Sequence, residues 1–227
     1  MGKYEIKDGV GIIPEGVTEI GFQAFYDCKD LISITIPKSV TEIGALAFNG
    51  CTGLTSIVVA EGNSVYDSRE NCNAIIETAT NMLCIGCSST IIPEGVTSIG
   101  KRAFGECTGL TNIVIPEGVT RIGDVAFCGC SGLTSIVIPE GVTSIGEDAF
   151  YGCTKLESIH LSEGLTAIGE GAFRHCTSLR EITIPDSVVN IGACLFSRSK
   201  SLQSVVLSKQ LTSIGSQTFE GCTALFV

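Results

Sequence analysis

A segment of 23 residues recurs along most of this chain. Residues 142–164 read VTSIGEDAFYGCTKLESIHLSEG, and the segments 23 residues before and after them read VTRIGDVAFCGCSGLTSIVIPEG and LTAIGEGAFRHCTSLREITIPDS. A unit this short cannot bury its own apolar face, so its copies must stack and each copy must cover the next. The repeat therefore predicts one continuous solenoid.

The spacing of the phenylalanines gives the number of coils. They lie 23 residues apart except for one step of 56 residues, and in order they are Phe25, Phe48, Phe104, Phe127, Phe150, Phe173, Phe196 and Phe219. The unit that begins near Val59 lacks its Ala-Phe pair and is longer than the others. We expect about nine coils in a single array over residues 1–227. Its parts are an N-terminal cap (1–12), a longer irregular repeat (59–91) and a truncated last repeat (222–227).

Each unit combines two periodicities. In LTSIVIPEGV the residues Leu133, Ile136 and Ile138 share one face, which predicts a short strand followed by a Pro-Glu-Gly turn. Apolar residues three to four positions apart then predict a short helical turn over 146–153. The expected fold is an α/β solenoid, a right-handed leucine-rich-repeat superhelix of about nine 23-residue coils. Its parallel sheet would lie on the concave face and its helical turns on the convex face.

A family resemblance rests on whole units. IPEGVTSIGKRAFGECTGLTNIV and IPEGVTRIGDVAFCGCSGLTSIV closely resemble the BspA-like leucine-rich repeats, and the insert NSVYDSRENCNAIIETATNMLCIGC is similar to the longer interrupting unit of that family. The family is common in surface proteins of anaerobic bacteria and some protists. The resemblance implies a non-catalytic protein, and some members are adhesins that bind host matrix proteins or cells.

Composition excludes several function classes. The net charge is −10 with no cluster of Lys or Arg, which argues against a nucleic-acid partner. No apolar run approaches the roughly 18–20 residues of a membrane span, so we expect no membrane insertion. The first residues show no signal peptide. Seven cysteines recur at one position of the repeat, and such a row suggests reduced thiols. The resemblance nevertheless implies an extracellular or cell-surface location, which we adopt as the expectation.

Seven of the twelve cysteines recur at one position of the repeat. This cysteine column consists of Cys28, Cys51, Cys107, Cys130, Cys153, Cys176 and Cys222, with Ser199 at the missing position. Each sulfur in such a row has two equivalent neighbours, which favours packing over pairing, so we expect free thiols. The insert contains Cys72, Cys84 and Cys87. For these, a local disulfide involving Cys72 and packing inside the insert both stay open, and a zinc site would lack a fourth ligand.

The other candidate groups do not indicate a catalytic or metal site. His175 precedes Cys176, but adjacent residues rarely face each other, and an acidic chain does not activate a thiol. The turn carboxylates Glu94, Glu117, Glu140 and Glu163 form a row that offers calcium few convergent ligands. We therefore expect no enzyme activity, no cofactor and no metal.

The outward positions of the strands form the candidate binding surface. They combine small hydroxyl groups with valines, which also suit any half-exposed strand, and lack the tryptophan that often anchors interfaces. These positions are Ser33, Thr35, Ser56, Val58, Asn112, Val114, Ser135, Val137, Ser158, His160, Glu181, Thr183, Ser204 and Val206. The insert adds Tyr66 and Arg69, because inserts in repeat arrays often lie on the binding face.

These observations lead to a protein-protein interaction module of an adhesin-like surface protein. The expected partner is a protein, such as a host matrix or cell-surface protein. The alternative is a structural spacer that holds flanking domains apart. The chain stops where another strand is due, so we expect a fragment of a longer repeat protein, whose uncovered sheet edge would invite end-to-end self-association.

Overall fold

The computed structural model describes residues 4–225 and shows a β-solenoid of about nine coils. Neighbouring coils pair in parallel with a register of 23 residues, as in the pairs Ile136↔Ile159 and Ile122↔Ile145. A regular coil contributes two strands rather than the single strand that the sequence predicts. Residues 1–3 of the predicted cap and 226–227 of the predicted last repeat lie outside the described part.

The first strand row contains the strands that the L-x-x-I-x-I pattern predicts. It begins with an antiparallel hairpin, β1 (Glu5–Lys7) and β2 (Val10–Ile12), and β2 pairs in parallel with the next coil. The remaining strands are β4 (Ser33–Ile36), β6 (Ser56–Val59), β12 (Ser135–Ile138), β14 (Ser158–Leu161), β16 (Glu181–Thr183) and β18 (Ser204–Val206). Residues 111–115 form no strand, so the row is not one uninterrupted sheet.

A second strand row lies where the sequence reads T-x-I-G, or V-N-I-G in the coil of residues 189–192. Its strands have two residues each: β3 (Glu19–Ile20), β5 (Glu42–Ile43), β10 (Ser98–Ile99), β11 (Arg121–Ile122), β13 (Ser144–Ile145), β15 (Ala167–Ile168) and β17 (Asn190–Ile191). Threonines extend this pairing, since the Thr143 hydroxyl donates to the Thr120 carbonyl at 3.1 Å and the Thr166 hydroxyl to the Thr143 carbonyl at 3.0 Å.

The predicted helical turns were wrong. We call the segment around each Ala-Phe pair, such as 146–153, the Ala-Phe turn. In this turn every second N–H donates to the next coil: Asp148 to Glu170 O at 2.8 Å, Phe150 to Ala172 O at 2.9 Å and Gly152 to Arg174 O at 3.0 Å. An α-helix needs those donors for its own i−4 carbonyls, so the turn cannot be helical.

The backbone conformation of the turn fits this pattern. Asp148 and Gly152, on either side of Phe150, have positive φ values of 49° and 71°, which aims alternate N–H groups along the solenoid axis instead of along a helix. The only helical element among residues 4–225 is a 3₁₀ turn at Arg69–Asn71. The α/β assignment is therefore corrected to a β-solenoid. The right-handed sense of the superhelix and the concave position of the first strand row stay predictions.

The insert replaces one regular coil with an antiparallel meander. Strands β7 (Tyr66–Asp67), β8 (Ala74–Glu77) and β9 (Met82–Gly86) pair in that order. β9 then pairs in parallel with β10, with Leu83 opposite Ile99. The last strand of the insert therefore continues the second strand row, but nothing in the insert supplies an Ala-Phe turn.

The core is built from stacked copies of the same side chains. The phenylalanine rings of neighbouring coils lie 5.0–5.9 Å apart with nearly parallel planes, and we call this stack the phenylalanine column. The core divides into two clusters at the insert, one containing Phe25 and Phe48 and the other containing Phe104 to Phe196. The interruption of the repeat is therefore also an interruption of the core.

Candidate binding surface

The outward positions of the first strand row face solvent. In β12, Val137 is 59% exposed whereas Ile136 and Ile138 on either side of it are buried. Of the fourteen predicted row positions, Ser33 and Ser56 are half-buried and the others are exposed. The period-2 alternation puts the two sets on opposite faces of the strand.

Parallel pairing aligns these side chains from coil to coil. Val137 lies opposite His160, Thr35 opposite Val58, and Thr183 opposite Val206. The insert separates the part of the row that ends at β6 from the part that begins at Asn112 and Val114. These last two are exposed, although their segment forms no strand.

One end of the row forms a groove. It has a volume of about 480 Å³ and spans three coils. Six of the predicted row residues line it: Ser158, His160, Glu181, Thr183, Ser204 and Val206. The structure brings these six together, and its wall also includes the turn carboxylate Glu163.

The two insert residues lie elsewhere. The Tyr66 side chain is buried, with 9% of the residue exposed, so the structure does not present its ring on the surface. The Arg69 guanidinium is half-buried and engaged: Nε donates to Asp67 Oδ1 at 2.9 Å and Nη1 to Asn81 Oδ1 at 2.9 Å. Partial burial favours the neutral form of Asp67, but the hydrogen bonds from Arg69 outweigh it and lower the pKa of that carboxyl.

Five of the seven thiols of the cysteine column donate hydrogen bonds between coils. The Cys153 thiol lies 3.2 Å from the Phe127 carbonyl oxygen, and Cys51, Cys130, Cys176 and Cys222 make the same contact to the phenylalanine 26 residues earlier, at 2.9–3.3 Å. All twelve cysteines are free. In the insert, the Cys72 and Cys87 thiols donate to main-chain carbonyls, as the packing alternative predicts.

The Cys176 thiol is fully buried, next to a half-buried His175. Burial raises the pKa of Cys176 to about 12, which disfavours the thiolate that a Cys-His pair would need. His175 instead lies edge-on to Tyr151, with ring centroids 5.9 Å apart. Residues 4–225 contain no cluster of three or more metal-ligating side chains.

The row of turn carboxylates is solvated. Glu94, Glu117, Glu140 and Glu163 are all exposed, and Glu140 Oε2 accepts a hydrogen bond from Gly164 N at 3.0 Å. One carboxylate per coil gives a cation few convergent ligands. Within residues 4–225, no helix has the length and apolar character to cross a bilayer.

Sequence reasoning missed one aromatic contact at the first coil. The Tyr4 ring stacks on Phe25 with centroids 5.4 Å apart, so it covers the first ring of the phenylalanine column. The signal was a tyrosine 21 residues before Phe25, near the 23-residue period but outside any Ala-Phe pair.

Three solved structures show the same fold. A leucine-rich repeat protein from Eubacterium ventriosum is 27% identical with a TM-score of 0.83, over 94% of this chain and 58% of that one. A leucine-rich cell surface protein from Faecalibacterium prausnitzii is 29% identical with a TM-score of 0.68, over 94% and 57%. The pneumococcal vaccine antigen PcpA is 25% identical with a TM-score of 0.64, over 89% and 45%. The chain thus spans about half of each protein. No curated protein matches it.

The repeat itself matches a family along nearly the whole chain. The matched segments are residues 11–74, 73–197 and 145–226, and they correspond to the BspA type leucine-rich repeat region in six copies. The 23-residue register, the phenylalanine column and the paired strand rows are the structural form of that repeat. The chain belongs to the BspA-type leucine-rich repeat proteins.

Proposed function

We propose that this chain is a non-catalytic protein-interaction module of a cell-surface protein, which binds a protein partner through the outward residues of the first strand row. The observation that carries the proposal is the exposed valine series. Val58, Val114, Val137 and Val206 are 46–74% exposed, although the first three each lie between buried residues and Val206 lies between half-buried ones. Apolar side chains aligned on one face favour contact with another protein.

The groove at the end of the row is a depression in this surface. Its residues His160 and Glu181 lie on neighbouring coils and interrupt the series of hydroxyls with ionisable groups. Such groups give an interface directional contacts, while the flanking valine supplies apolar area. The partner we propose is a folded host matrix or cell-surface protein.

The surface location is supported by two of the similar structures, a cell surface protein and a vaccine antigen. It is a proposal for this chain because the chain spans only part of each of those proteins. The expected acidic surface, with a net charge of −10, favours partners that are neutral or basic.

A matched pair of variants tests the strand-row surface. Val137→Lys puts a charge at the centre of the row, and Glu117→Gln changes the net charge by the same amount at an exposed turn. The wild-type chain and both variants are screened for binding to surface-immobilised matrix proteins. We expect Val137→Lys to lower the affinity for a bound matrix protein at least about tenfold, and Glu117→Gln to leave that affinity unchanged. Equal binding by both variants would refute the strand-row surface. If the wild-type chain binds none of them and separates flanking domains, the spacer alternative is favoured.

A further inference from the structure

The phenylalanine column lacks one ring at the insert. Phe25 and Phe48 are stacked 5.3 Å apart, and Phe104 and Phe127 are stacked 5.0 Å apart. No ring of the described residues joins Phe48 to Phe104, because the insert carries no Ala-Phe pair. Phe48 retains 7% exposure whereas Phe127 and Phe150 are fully buried. The face of Phe48 toward the insert therefore lacks its ring partner.

The main chain on the same side of Phe48 also lacks its partners. In a regular coil, the N–H groups of Val125, Phe127 and Gly129 donate to the next coil at 2.7–2.8 Å. The equivalent donors of the Phe48 coil are Leu46, Phe48 and Gly50, and these find no acceptor among residues 4–225. Three parallel donors therefore point toward the place of the missing turn.

On the opposite side of the insert, main-chain carbonyls of the Phe104 coil also lack their usual donors. The carbonyls that would accept from a preceding Ala-Phe turn belong to Lys101, Ala103 and Gly105. Gly86 N–H donates to Ala103 O at 2.8 Å, while the Lys101 and Gly105 carbonyls accept no hydrogen bond from the described residues. Gly86 also packs directly on the Phe104 ring, which is 1% exposed, whereas Phe48 keeps 7% exposure in a cluster with Tyr66 and Cys87 of the insert.

A cavity of about 380 Å³ occupies the space between these walls. Its walls are the two Ala-Phe turns, and Tyr66, Cys84 and Ile85 of the insert also line it. This volume is within the range of small-ligand pockets, about 300–1,000 Å³. We call the cavity, with the free N–H groups of Leu46 and Phe48 that line it and that of Gly50 beside it, the Phe48 slot.

We propose that the Phe48 slot binds a phenylalanine-containing peptide turn of another protein. The regular coils show what fits such a space, since each Phe ring there stacks on the preceding one at 5.0–5.9 Å while carbonyls of its turn accept the three N–H groups. The incoming ring stacks on Phe48, and the carbonyls of the peptide accept from Leu46, Phe48 and Gly50. This site is independent of the strand-row surface.

The charges at the slot favour an acidic peptide. Lys101 and Arg102 line it and are exposed, and Glu77 is the acidic lining residue. Lys101 pairs with Asp124 of the next coil at 3.8 Å, so Arg102 is the cation that a peptide carboxylate would meet first. The Ala-Phe turn at 146–152 (GEDAFYG) carries two carboxylates before its phenylalanine. A peptide of this sequence, with blocked ends, combines the ring, the carbonyls and the charge that the slot selects.

The test is a titration of the ¹⁵N-labelled chain with that peptide, followed by amide chemical shifts. We expect saturable shifts at Leu46, Phe48 and Gly50, and a loss of affinity of at least about tenfold when the peptide phenylalanine is replaced by alanine. Equal binding of both peptides, shifts confined to other coils, or no binding at all would overturn the proposal.

A variant that fills the slot provides the second arm. Ala45 lines the slot and is exposed, so Ala45→Trp should block the peptide, whereas Ala193→Trp makes the same change at the equivalent position of another coil. We expect binding to be lost only in Ala45→Trp. Unimpaired binding by Ala45→Trp would contradict the site. If either variant fails to fold, the comparison of the phenylalanine peptide with the alanine peptide on the wild-type chain decides the question.

Discussion

Ser199 donates its hydroxyl to the main-chain carbonyl of Phe173, with the two oxygens 2.9 Å apart. Its position in the repeat is that of a column cysteine, and the Cys153 thiol makes the same contact to Phe127 at 3.2 Å. A serine can replace the cysteine because both residues are small hydrogen-bond donors. The column is therefore a series of donors between coils, and not only a packed row of sulfurs.

The donor role predicts unequal effects of two substitutions at Cys153. Cys153→Ser keeps a donor, whereas Cys153→Ala leaves the Phe127 carbonyl with only the Cys130 N–H of its own coil, at 3.1 Å, and should cost about 0.5–1.5 kcal/mol of unfolding free energy. Urea unfolding at neutral pH measures both. Cys194→Ala, at a half-buried cysteine outside the column, should change stability by less than about 0.5 kcal/mol. A Ser variant less stable than the Ala variant would contradict the donor role.

The buried thiols predict loss of stability at alkaline pH. Burial raises the pKa of Cys51, Cys107 and Cys176 from 9.0 to about 12. Between these values the unfolded chain has lost thiol protons that the folded chain retains, so the free energy of unfolding falls as pH rises. The thiol contribution is fully present below pH 9 and disappears toward pH 12.

Urea midpoints at pH 8, 10 and 11 measure this decline. Cys176→Ser removes one titrating group and should make the dependence on pH shallower. Iodoacetamide should also modify Cys51, Cys107 and Cys176 slowly in the folded chain at pH 8.5. Stability that does not change from pH 8 to pH 11 would show that the fold does not raise the pKa of these thiols.

Close approach of the coils predicts that Gly146 cannot carry a side chain. A Cβ atom there would lie 2.5 Å from Asp124 N and 2.6 Å from Gly123 C of the preceding coil. Gly146→Ala should therefore destabilise the chain by about 1–3 kcal/mol, measured as a shift of the urea midpoint. Gly118→Ala is the matched control, because its Cβ would meet only Val96 O at 3.5 Å. Equal stability of the two variants would argue against the observed spacing of the coils.

The phenylalanine column predicts that the cost of losing a ring depends on its neighbours. Phe127 is fully buried between two stacked rings, whereas Phe219 is half-buried and stacks on Phe196 alone among the described residues. Phe127→Leu should cost more unfolding free energy than Phe219→Leu, by about 1 kcal/mol or more. Chemical denaturation of the two variants gives the comparison, and a larger loss for Phe219→Leu would contradict it.

The repeat predicted the stacking but not the path of the chain within a coil. The 23-residue period gives the register directly, because Ile136 pairs with Ile159. The spacing of Ala149, Phe150 and Cys153 indicates a helix within one unit. The Phe150 N–H, however, donates to Ala172 O of the next coil, and such a bond is visible only when two copies are placed side by side.

The insert is a second case in which the sequence predicted one feature but not its structural consequence. Its sequence revealed a missing Ala-Phe pair, but not that a cavity and unpaired N–H groups would border Phe48. Tyr66 was expected on the surface as a polar residue of an insert. It is instead buried against this cavity, because the insert folds as a meander and continues the second strand row. Local pattern cannot distinguish these outcomes, since they depend on which strand of the insert pairs with the next coil.

Native-state hydrogen exchange of the phenylalanine amides tests the central claim most directly, namely that main-chain hydrogen bonds between stacked Ala-Phe turns join the coils. The Phe127 and Phe150 amides donate to the next coil at 2.7 and 2.9 Å, whereas the Phe48 amide has no acceptor among residues 4–225. Slow exchange at Phe127 and Phe150 with fast exchange at Phe48 is the predicted result. Fast exchange at all three amides, or protection of Phe48 equal to that of Phe127, would contradict it.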